Sequence, residues 1–341
     1  MTLSDPEHRA CGLSRRRFLL GAAAGATAAL QAAEKDRELQ GKALIAITLD
    51  LEMLRNFPTW EMTHWDYEKG NLNDEAKGYT VEACRRVKSY GGVLHNFAVG
   101  QVFEHESVEW LKGIVAAGHP VGNHTYDHVY VLARKHEEVQ FLFRRAPWLI
   151  EDRAVRDVIR DNISKCSKAM KARLGITPDG FRTPGGFAHG LSGRPDVQRL
   201  LLDLGFRWVS GKYPRHAMAE IGVEPGPSIY DAIVAAQAEA QPFVYPTGLV
   251  EIPMSPISDV WAFRNGRWKL DWFLEAIRRA VTWAIENRAV FDFLSHPSCL
   301  YAMDPEFRAI ELICELVRKS GDRAALVDLN QIARRVRAQS A

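Results

Sequence analysis

Cysteine is scarce and unpatterned. The 341 residues hold five (Cys11, Cys84, Cys166, Cys299 and Cys314), with no CxxC pair and no finger spacing. That excludes a disulfide framework or a cysteine-held zinc module, and the last four read as core residues. A membrane-length apolar run is missing from the N-terminus, where Leu20 to Leu30 gives eleven residues against the roughly 20 that a spanning helix needs. Excess charge is small as well: the formal net charge is +2, and residues 1–33 carry four arginines against Asp5 and Glu7. The remainder is near neutrality, so no basic stripe is left for a run of phosphates and a nucleic-acid partner is not expected. No Ser-, Pro- or Gly-rich linker divides residues 40–341 and there is no internal repeat, which points to one domain and not an array. With 47% apolar and 25% charged residues, the composition is that of an ordinary globular protein with ample core.

The N-terminus reads as a delivery label. Arg15-Arg16-Arg17-Phe18-Leu19 precedes a mildly apolar run rich in Ala and Gly, which resembles the twin-arginine export signal of bacteria. This implies a signal over residues 1–33 that engages the twin-arginine export machinery, with a single mature domain over residues 34–341. The destination would be the periplasm or cell envelope, with a membrane tether if the segment is not cut. A basic helix lying on the protein surface is the alternative.

From Ala43 onward strands alternate with helices. Ala43 to Leu49 is a continuous apolar run of strand length, ending at Asp50-Leu51-Glu52. In extended backbone Asp50 and Glu52 point to one side and Leu51 to the other. A helix over 79–89, a strand over 93–99 and a helix over 108–117 follow, then a short strand that delivers His124. Further helices are expected over 151–174, 196–204, 228–238, 270–287, 305–319 and 326–336, and strands over 206–210, 249–253 and 289–295. Crossovers of this kind make a parallel sheet or barrel. Loop insertions at 53–77 and 129–150 interrupt the pattern, and loops so long in a compact domain usually roof a pocket. Trp60 and Trp65 in the first could stack on sugar rings or form a small satellite core.

The residues that carry chemistry fall at strand ends, where an α/β barrel presents its active site. His124 and His128 are four apart; on a helix starting at His124 both imidazoles would share one face and one ion, although the same spacing occurs on ordinary polar helix faces. Two His and one carboxylate form a common catalytic metal arrangement that leaves room for water. The ion acidifies that water and polarises a carbonyl, a nearby carboxylate takes the proton, and a further histidine protonates the departing nitrogen. Those roles describe amide hydrolysis.

Taken in order, these segments resemble the polysaccharide deacetylase family, the NodB-homology carbohydrate esterases, across Ala43 to His296. The resemblance implies a distorted (β/α) barrel of about seven parallel strands. Thr48-Leu49-Asp50 resembles the family's opening motif and makes Asp50 the catalytic base. The second Asp of that motif is Leu51 here. Asp50-Leu51-Glu52 is instead similar to the Asp-x-Asp/Glu branch that includes peptidoglycan deacetylases and allantoinase-like hydrolases, which makes Glu52 the third metal ligand beside His124 and His128. Arg182-Thr183-Pro184 matches the Arg-x-Pro segment, with Arg182 expected to hold Asp50 in a bidentate fork. Leu294-Ser295-His296 matches the Leu-x-His motif and gives His296 the general-acid role.

Trp208 half-meets a further pocket motif and could line the cavity or sit in the core; Tyr126 is a second candidate for the cleft. The group orienting His296 stays open: Asp292 has the right parity, but four strand residues at ~3.3 Å each put it out of reach. The implied cofactor is one divalent ion, Zn²⁺ first, with Co²⁺, Ni²⁺ or Mn²⁺ as alternatives. The implied activity is N-deacetylation of an N-acetylated polysaccharide or peptidoglycan. An allantoinase-like or cyclic-imide hydrolase of small amides is the first alternative, and a catalytically silent carbohydrate-binding protein the second. Oligomeric state is not legible in the sequence.

Overall fold

Strand β1 (Ala43–Leu51) is buried along its whole length, as its run of Ala, Leu and Ile requires, and a curled sheet is built around it. The computed structural model describes residues 37–52 and 69–340; the expected export segment, Trp60 and Trp65 lie outside the described residues. The chain divides into residues 1–40 and 41–341, and the sheet belongs wholly to the second unit. The other strands are β2 (His95–Ala98), β3 (Val121–Asn123), β4 (Gly180–Phe187), β5 (Trp208–Lys212), β6 (Phe243–Val244), β7 (Val250–Glu251), β8 (Val290–Ser295) and β9 (Ala324–Leu326).

Their order is β6-β7-β5-β4-β3-β2-β1-β8, with β9 beside the first half of β1. Every pairing is parallel except β6 with β7. The strands beyond the expected seven are β6 and β9, pieces of two and three residues that are too short to show a period in sequence. The sheet curls until the chain leaving β7 approaches β8. There the Ser255 N–H donates to Asp292 O at 2.9 Å and Ser255 Oγ accepts the Asp292 N–H at 3.0 Å. The Gln241 amide pairs with both backbone groups of Val290, at 2.8 and 3.1 Å. Side chains thus cover the edge that an open sheet would leave unpaired, and the result is a partly closed, distorted (β/α) barrel.

Eleven helices surround it among the described residues: α1 (Asp74–Ser89), α2 (Glu109–Ala116), α3 (His136–Val139), α4 (Phe141–Arg145), α5 (Val155–Leu174), α6 (Pro195–Asp203), α7 (Pro227–Glu239), α8 (Leu270–Glu286), α9 (Pro297–Met303), α10 (Arg308–Lys319) and α11 (Leu329–Ser340). Helix α1 starts earlier than the expected Tyr79. Asn73 Oδ1 accepts the Ala76 N–H at 3.1 Å and Asp74 and Glu75 occupy the first turn, a capped and dipole-matched start that outweighs the weak apolar period there. The 129–150 insertion folds as α3, α4 and a 3₁₀ turn over Pro147–Leu149. Its Val139, Phe143 and Ile150 pack with Val158 and Ile163 of α5 in a second core.

Of the two expectations for Trp208, pocket wall or core, the structure shows the core. The residue is 1% exposed, and its indole N–H donates to Asn330 Oδ1 at 3.0 Å. The ring meets His95 and Phe97 edge-on. A Cβ on Gly180 would lie 1.8 Å from this ring, so Gly180 is what lets β4 and β5 pair at this point. The residue sits at the entrance of β5, on the barrel floor, whereas the site lies at the strands' carboxyl ends. Cys84, Cys166, Cys299 and Cys314 are buried and free, as the cysteine pattern implied.

Candidate metal centre and active site

The end of β1 supplies Asp50 and, one residue beyond the strand, Glu52; both are 4% exposed. They line a cavity of about 970 Å³ together with Lys69, His124, His128 and His296. The loop after β3 brings in the two histidines, and it does so without a helix. Thr125 and His128 take φ of 64° and 58°, the left-handed region that non-glycine residues rarely adopt. The expected helical face is therefore replaced by a sharply turned loop, and the two rings meet at 5.1 Å between centroids and 71° between planes.

His124 Nδ1 lies 3.0 Å from the Arg182 carbonyl. A carbonyl only accepts, so Nδ1 carries the hydrogen and Nε2 of the neutral ring presents a lone pair. That lone pair faces Glu52 Oε2 at 2.7 Å. His128 Nε2 converges on the same oxygen. Acceptors do not crowd together unless a proton or a cation joins them, and one carboxylate oxygen with two imidazole nitrogens is the donor set of a divalent ion. The three ligand atoms lie within 4.8 Å of one another, so the residues fit such an ion.

Lys69, 2% exposed, places its ammonium 2.7 Å from the other Glu52 oxygen, Oε1. Burial alone would raise the Glu52 carboxyl, but His128, Lys69 and the hydrogen bonds to both imidazoles hold it well below the usual carboxylate range. Burial pushes His128 down to about 4, against the pull of Glu52. Both groups are thereby kept in the deprotonated state that a metal ligand needs.

Arg182, fully buried, does not form the expected fork with Asp50. Its Nη2 donates to Asp292 Oδ2 at 2.9 Å and to Thr48 Oγ1 at 3.0 Å, while Nη1 stands 3.7 Å from Asp50 Oδ1. The reason lies in register: Ala46 of β1 pairs with Asp292 of β8, which turns the Asp292 carboxylate into the barrel beneath Asp50, where the guanidinium from β4 meets it first. The guanidinium also lies 4.6 Å over the Phe97 ring, a favourable cation–π stack. Burial pushes the Asp292 carboxyl up to about 6, with Arg182 and Thr48 opposing.

His296 follows β8 and is held by Asp259, a residue that sequence reasoning missed. Asp259 Oδ2 accepts the His296 backbone N–H at 2.7 Å and Oδ1 accepts from Nδ1 at 2.9 Å. Nε2 is thereby directed toward Glu52, 3.5 Å from Oε1. Burial would lower this imidazole, but the fully buried Asp259 carboxylate outweighs it and raises the ring to about 10. Asp292 is not the orienting group, in line with its distance along β8. Asp259 had one faint signal: it is the first charge after Glu251, following an uncharged segment that starts at Ile252. Lys69 had none.

Tyr126 is half-buried and absent from the described lining of the cavity. Its ring covers Gly100, where a Cβ would lie 2.0 Å away, and its hydroxyl donates to Glu104 Oε1 at 2.5 Å. The side chain braces the histidine loop from behind and does not line the cleft. Of the remaining predicted residues, the structure brings Asp50, Glu52, His124, His128 and His296 into one cavity, with Arg182 directly beneath.

Residues 66–208 match the polysaccharide deacetylase family model, a span that includes both metal-site histidines and Arg182. No curated protein matches the sequence. Among solved structures the fold is similar to a Mycobacterium smegmatis protein assigned as a polysaccharide deacetylase (18% identity, TM-score 0.59, 88% of this chain and 92% of that one). It is also similar to the PuuE allantoinase (14% identity, TM-score 0.58, 88% and 92%). A third is a Pseudomonas aeruginosa PAO1 protein assigned as a polysaccharide deacetylase (15% identity, TM-score 0.57, 87% and 91%). At these identities the likeness is one of fold. The family model thus matches the histidine and arginine segments, and the partly closed barrel that carries them has the fold of these solved structures.

Proposed function

We propose that this protein is a metal-dependent hydrolase of carbon–nitrogen amide bonds whose substrate is an N-acetylated glycan. The observation that carries the reading is the convergence of both imidazole Nε2 atoms on one Glu52 oxygen, with Asp50 Oδ2 3.8 Å from His124 Nε2 and His296 Nε2 3.5 Å from the other Glu52 oxygen. Glu52, His124 and His128 would hold the ion, Zn²⁺ being favoured by two nitrogens and one oxygen. When bound, such an ion acidifies water and polarises a carbonyl oxygen.

The chain's own groups account for the proton traffic. Asp50 is buried beside the ligands and accepts the proton that water gives up as its oxygen attacks the amide carbon. Arg182, at 3.7 Å, keeps positive charge next to Asp50 while its stronger bond to Asp292 fixes its own place. As the carbon–nitrogen bond breaks, His296 gives the Nε2 proton to the departing amine, and Asp259 stabilises the imidazolium until then. Tyr213 and Met254 line the same cavity as His296 and give its wall an apolar part.

The cavity adjoins a second groove, which supports an extended substrate. At about 970 Å³ it lies at the upper end for small-molecule sites, which run about 300–1,000 Å³. It also shares Ser192 with a neighbouring groove of about 660 Å³. The second reading, hydrolysis of a small cyclic amide or ureide, draws on the Asp50-Leu51-Glu52 arrangement and on the fold likeness to an allantoinase. A glycan binder without catalysis would have no use for Asp259 behind His296. Export through the twin-arginine route agrees with an envelope glycan as substrate, and replacing Arg15, Arg16 and Arg17 by Lys should block delivery.

The test is to load the protein with Zn²⁺ and follow acetate release from an acetylated-glycan panel and ring opening in a cyclic-ureide panel in parallel. Acetate release that disappears in Asp50→Asn while the ion stays bound is the expected result. Ring opening alone would favour the second reading, and turnover retained in Asp50→Asn would sink the assignment of the base.

A further inference from the structure

The loop that carries the two histidines has a backbone that its own sequence does not favour. Thr125 and His128, both non-glycine, sit at φ of 64° and 58°, and such residues persist only where the surroundings over-determine them. Between them, the N–H groups of Tyr126 and Asp127 both donate to Asn162 Oδ1, at 2.8 and 2.9 Å. Asn162 Nδ2 donates in return to Asp127 Oδ2 at 2.6 Å, and Asp127 Oδ1 accepts from Gln101 Nε2 at 3.3 Å. Asn162 is 4% exposed in the interior of α5, a place where asparagine is a poorer helix former than Ala or Leu. Each of these bonds goes to the loop. Asn123 ties the other end: its Nδ2 donates to Ile163 O and Ser167 Oγ, both at 2.9 Å, and its Oδ1 accepts the Thr125 N–H at 2.8 Å.

We infer that Asn162, working with Asp127, is a positioning residue for the metal site: it holds the left-handed turn that aims His124 and His128 at a common point. The inference rests on reading Glu52, His124 and His128 as ligands. Asn162 reaches no ligand side chain in this arrangement. It acts on the backbone between the ligands, so its loss should change ion affinity with little effect on the barrel. The reciprocal bonding pattern also makes a specific prediction. In the double variant N162D/D127N, the carboxylate now on α5 can accept the same two N–H groups and the amide now on the loop can donate to it, so the clamp is rebuilt with its donor and acceptor exchanged. The single change N162D instead sets two carboxylates face to face.

The experiment titrates Zn²⁺ into the full-length protein and its N162D, D127A and N162D/D127N variants against a chromophoric competing chelator, with circular dichroism melts of the metal-free proteins alongside. N162D should weaken Zn²⁺ binding about 10- to 100-fold, the range seen when groups that support metal ligands are removed, with a native spectrum. The exchanged pair should recover most of that loss. D127A, at a half-buried site off the helix, tests the clamp even if N162D does not fold, and should weaken binding by a smaller factor. Wild-type affinity in folded N162D and D127A overturns the inference, as does an exchanged pair that binds no better than N162D. Failure of the unmodified protein to bind Zn²⁺ would instead remove the metal reading beneath it, so the two failures are told apart.

Discussion

Replacing Asp259 by Asn preserves the size of a fully buried side chain and removes its charge. Hydrogen bonds reach this carboxylate from the His296 N–H at 2.7 Å, from His296 Nδ1 at 2.9 Å, from the Val260 N–H at 2.8 Å and from the Cys299 thiol. An amide oxygen in the Oδ2 place can continue to accept the His296 N–H, but the NH₂ group in the Oδ1 place then confronts both Nδ1–H and the Val260 N–H, donor against donor. Either the ring changes tautomer or the contact opens. Each hydrogen bond to a charged group contributes about 1.5–3 kcal/mol, so the ring loses both its anchor and the counter-charge for its protonated form. Loss of a positioned general acid costs about 10²- to 10⁴-fold in rate, which is about 3–5.5 kcal/mol of barrier. The expected outcome is a kcat reduced by that factor, with Zn²⁺ affinity unchanged because Asp259 touches none of the three ligands. Steady-state product release measured beside a chelator-competition titration checks both halves. A kcat within tenfold of the unmodified protein, with the ion still bound, would refute the role given to His296 and its partner.

Two other outcomes concern stability. The Asp292 carboxyl is raised from 3.8 to about 6 by burial, so the folded state holds this proton more tightly than the unfolded chain; its contribution is fully present below about pH 4 and is lost as pH rises through about 6, in total about 3 kcal/mol. The difference in unfolding free energy between Asp292→Asn and the unmodified protein should therefore change by about that amount across this window, in denaturant titrations at stepped pH, and a constant difference would contradict the burial argument. In Gly180→Ala the new Cβ would fall 1.8 Å from the Trp208 ring, and that ring is pinned by its bond to Asn330. Overpacking of this kind costs about 3 kcal/mol, which should appear as a clear fall in melting temperature, and an unchanged melt would show that Trp208 can move aside.

How much of this could be read in advance depended on backbone type. On β1 the period of two was enough to put Asp50 and Glu52 on one face, and the same strand geometry ruled out Asp292 as the partner of His296. Helices and strands of ordinary length were legible within a few residues. The short pieces β6 and β9 were not, because two or three residues carry no period. Arg182 shows a subtler limit. Its place near the base carboxylate followed from the resemblance of Arg182-Thr183-Pro184 to a family segment, but which carboxylate it meets was set by the stagger of β1 against β8, and cross-strand register leaves no mark in the local sequence. Asp259 was hidden for a related reason: it stands in irregular chain after β7, where no periodicity assigns a direction to a side chain.

The histidine pair makes the physical point most sharply. A spacing of four suggested a helical face, and the two rings do meet, but through two left-handed residues that no helix contains. What makes the turn possible is an amide on α5, some 35 residues further on, together with the Tyr126 ring packed into the space over Gly100. In regular structure the positions of ligands are dictated by the backbone's own repeat, so spacing is informative. In a loop the backbone has no repeat, and its shape is imposed by distant polar side chains that are buried and fully bonded. A ligand spacing inside a loop therefore identifies the residues and says nothing about the geometry, and the groups that create that geometry are to be sought among the buried amides and carboxylates of the packing helix.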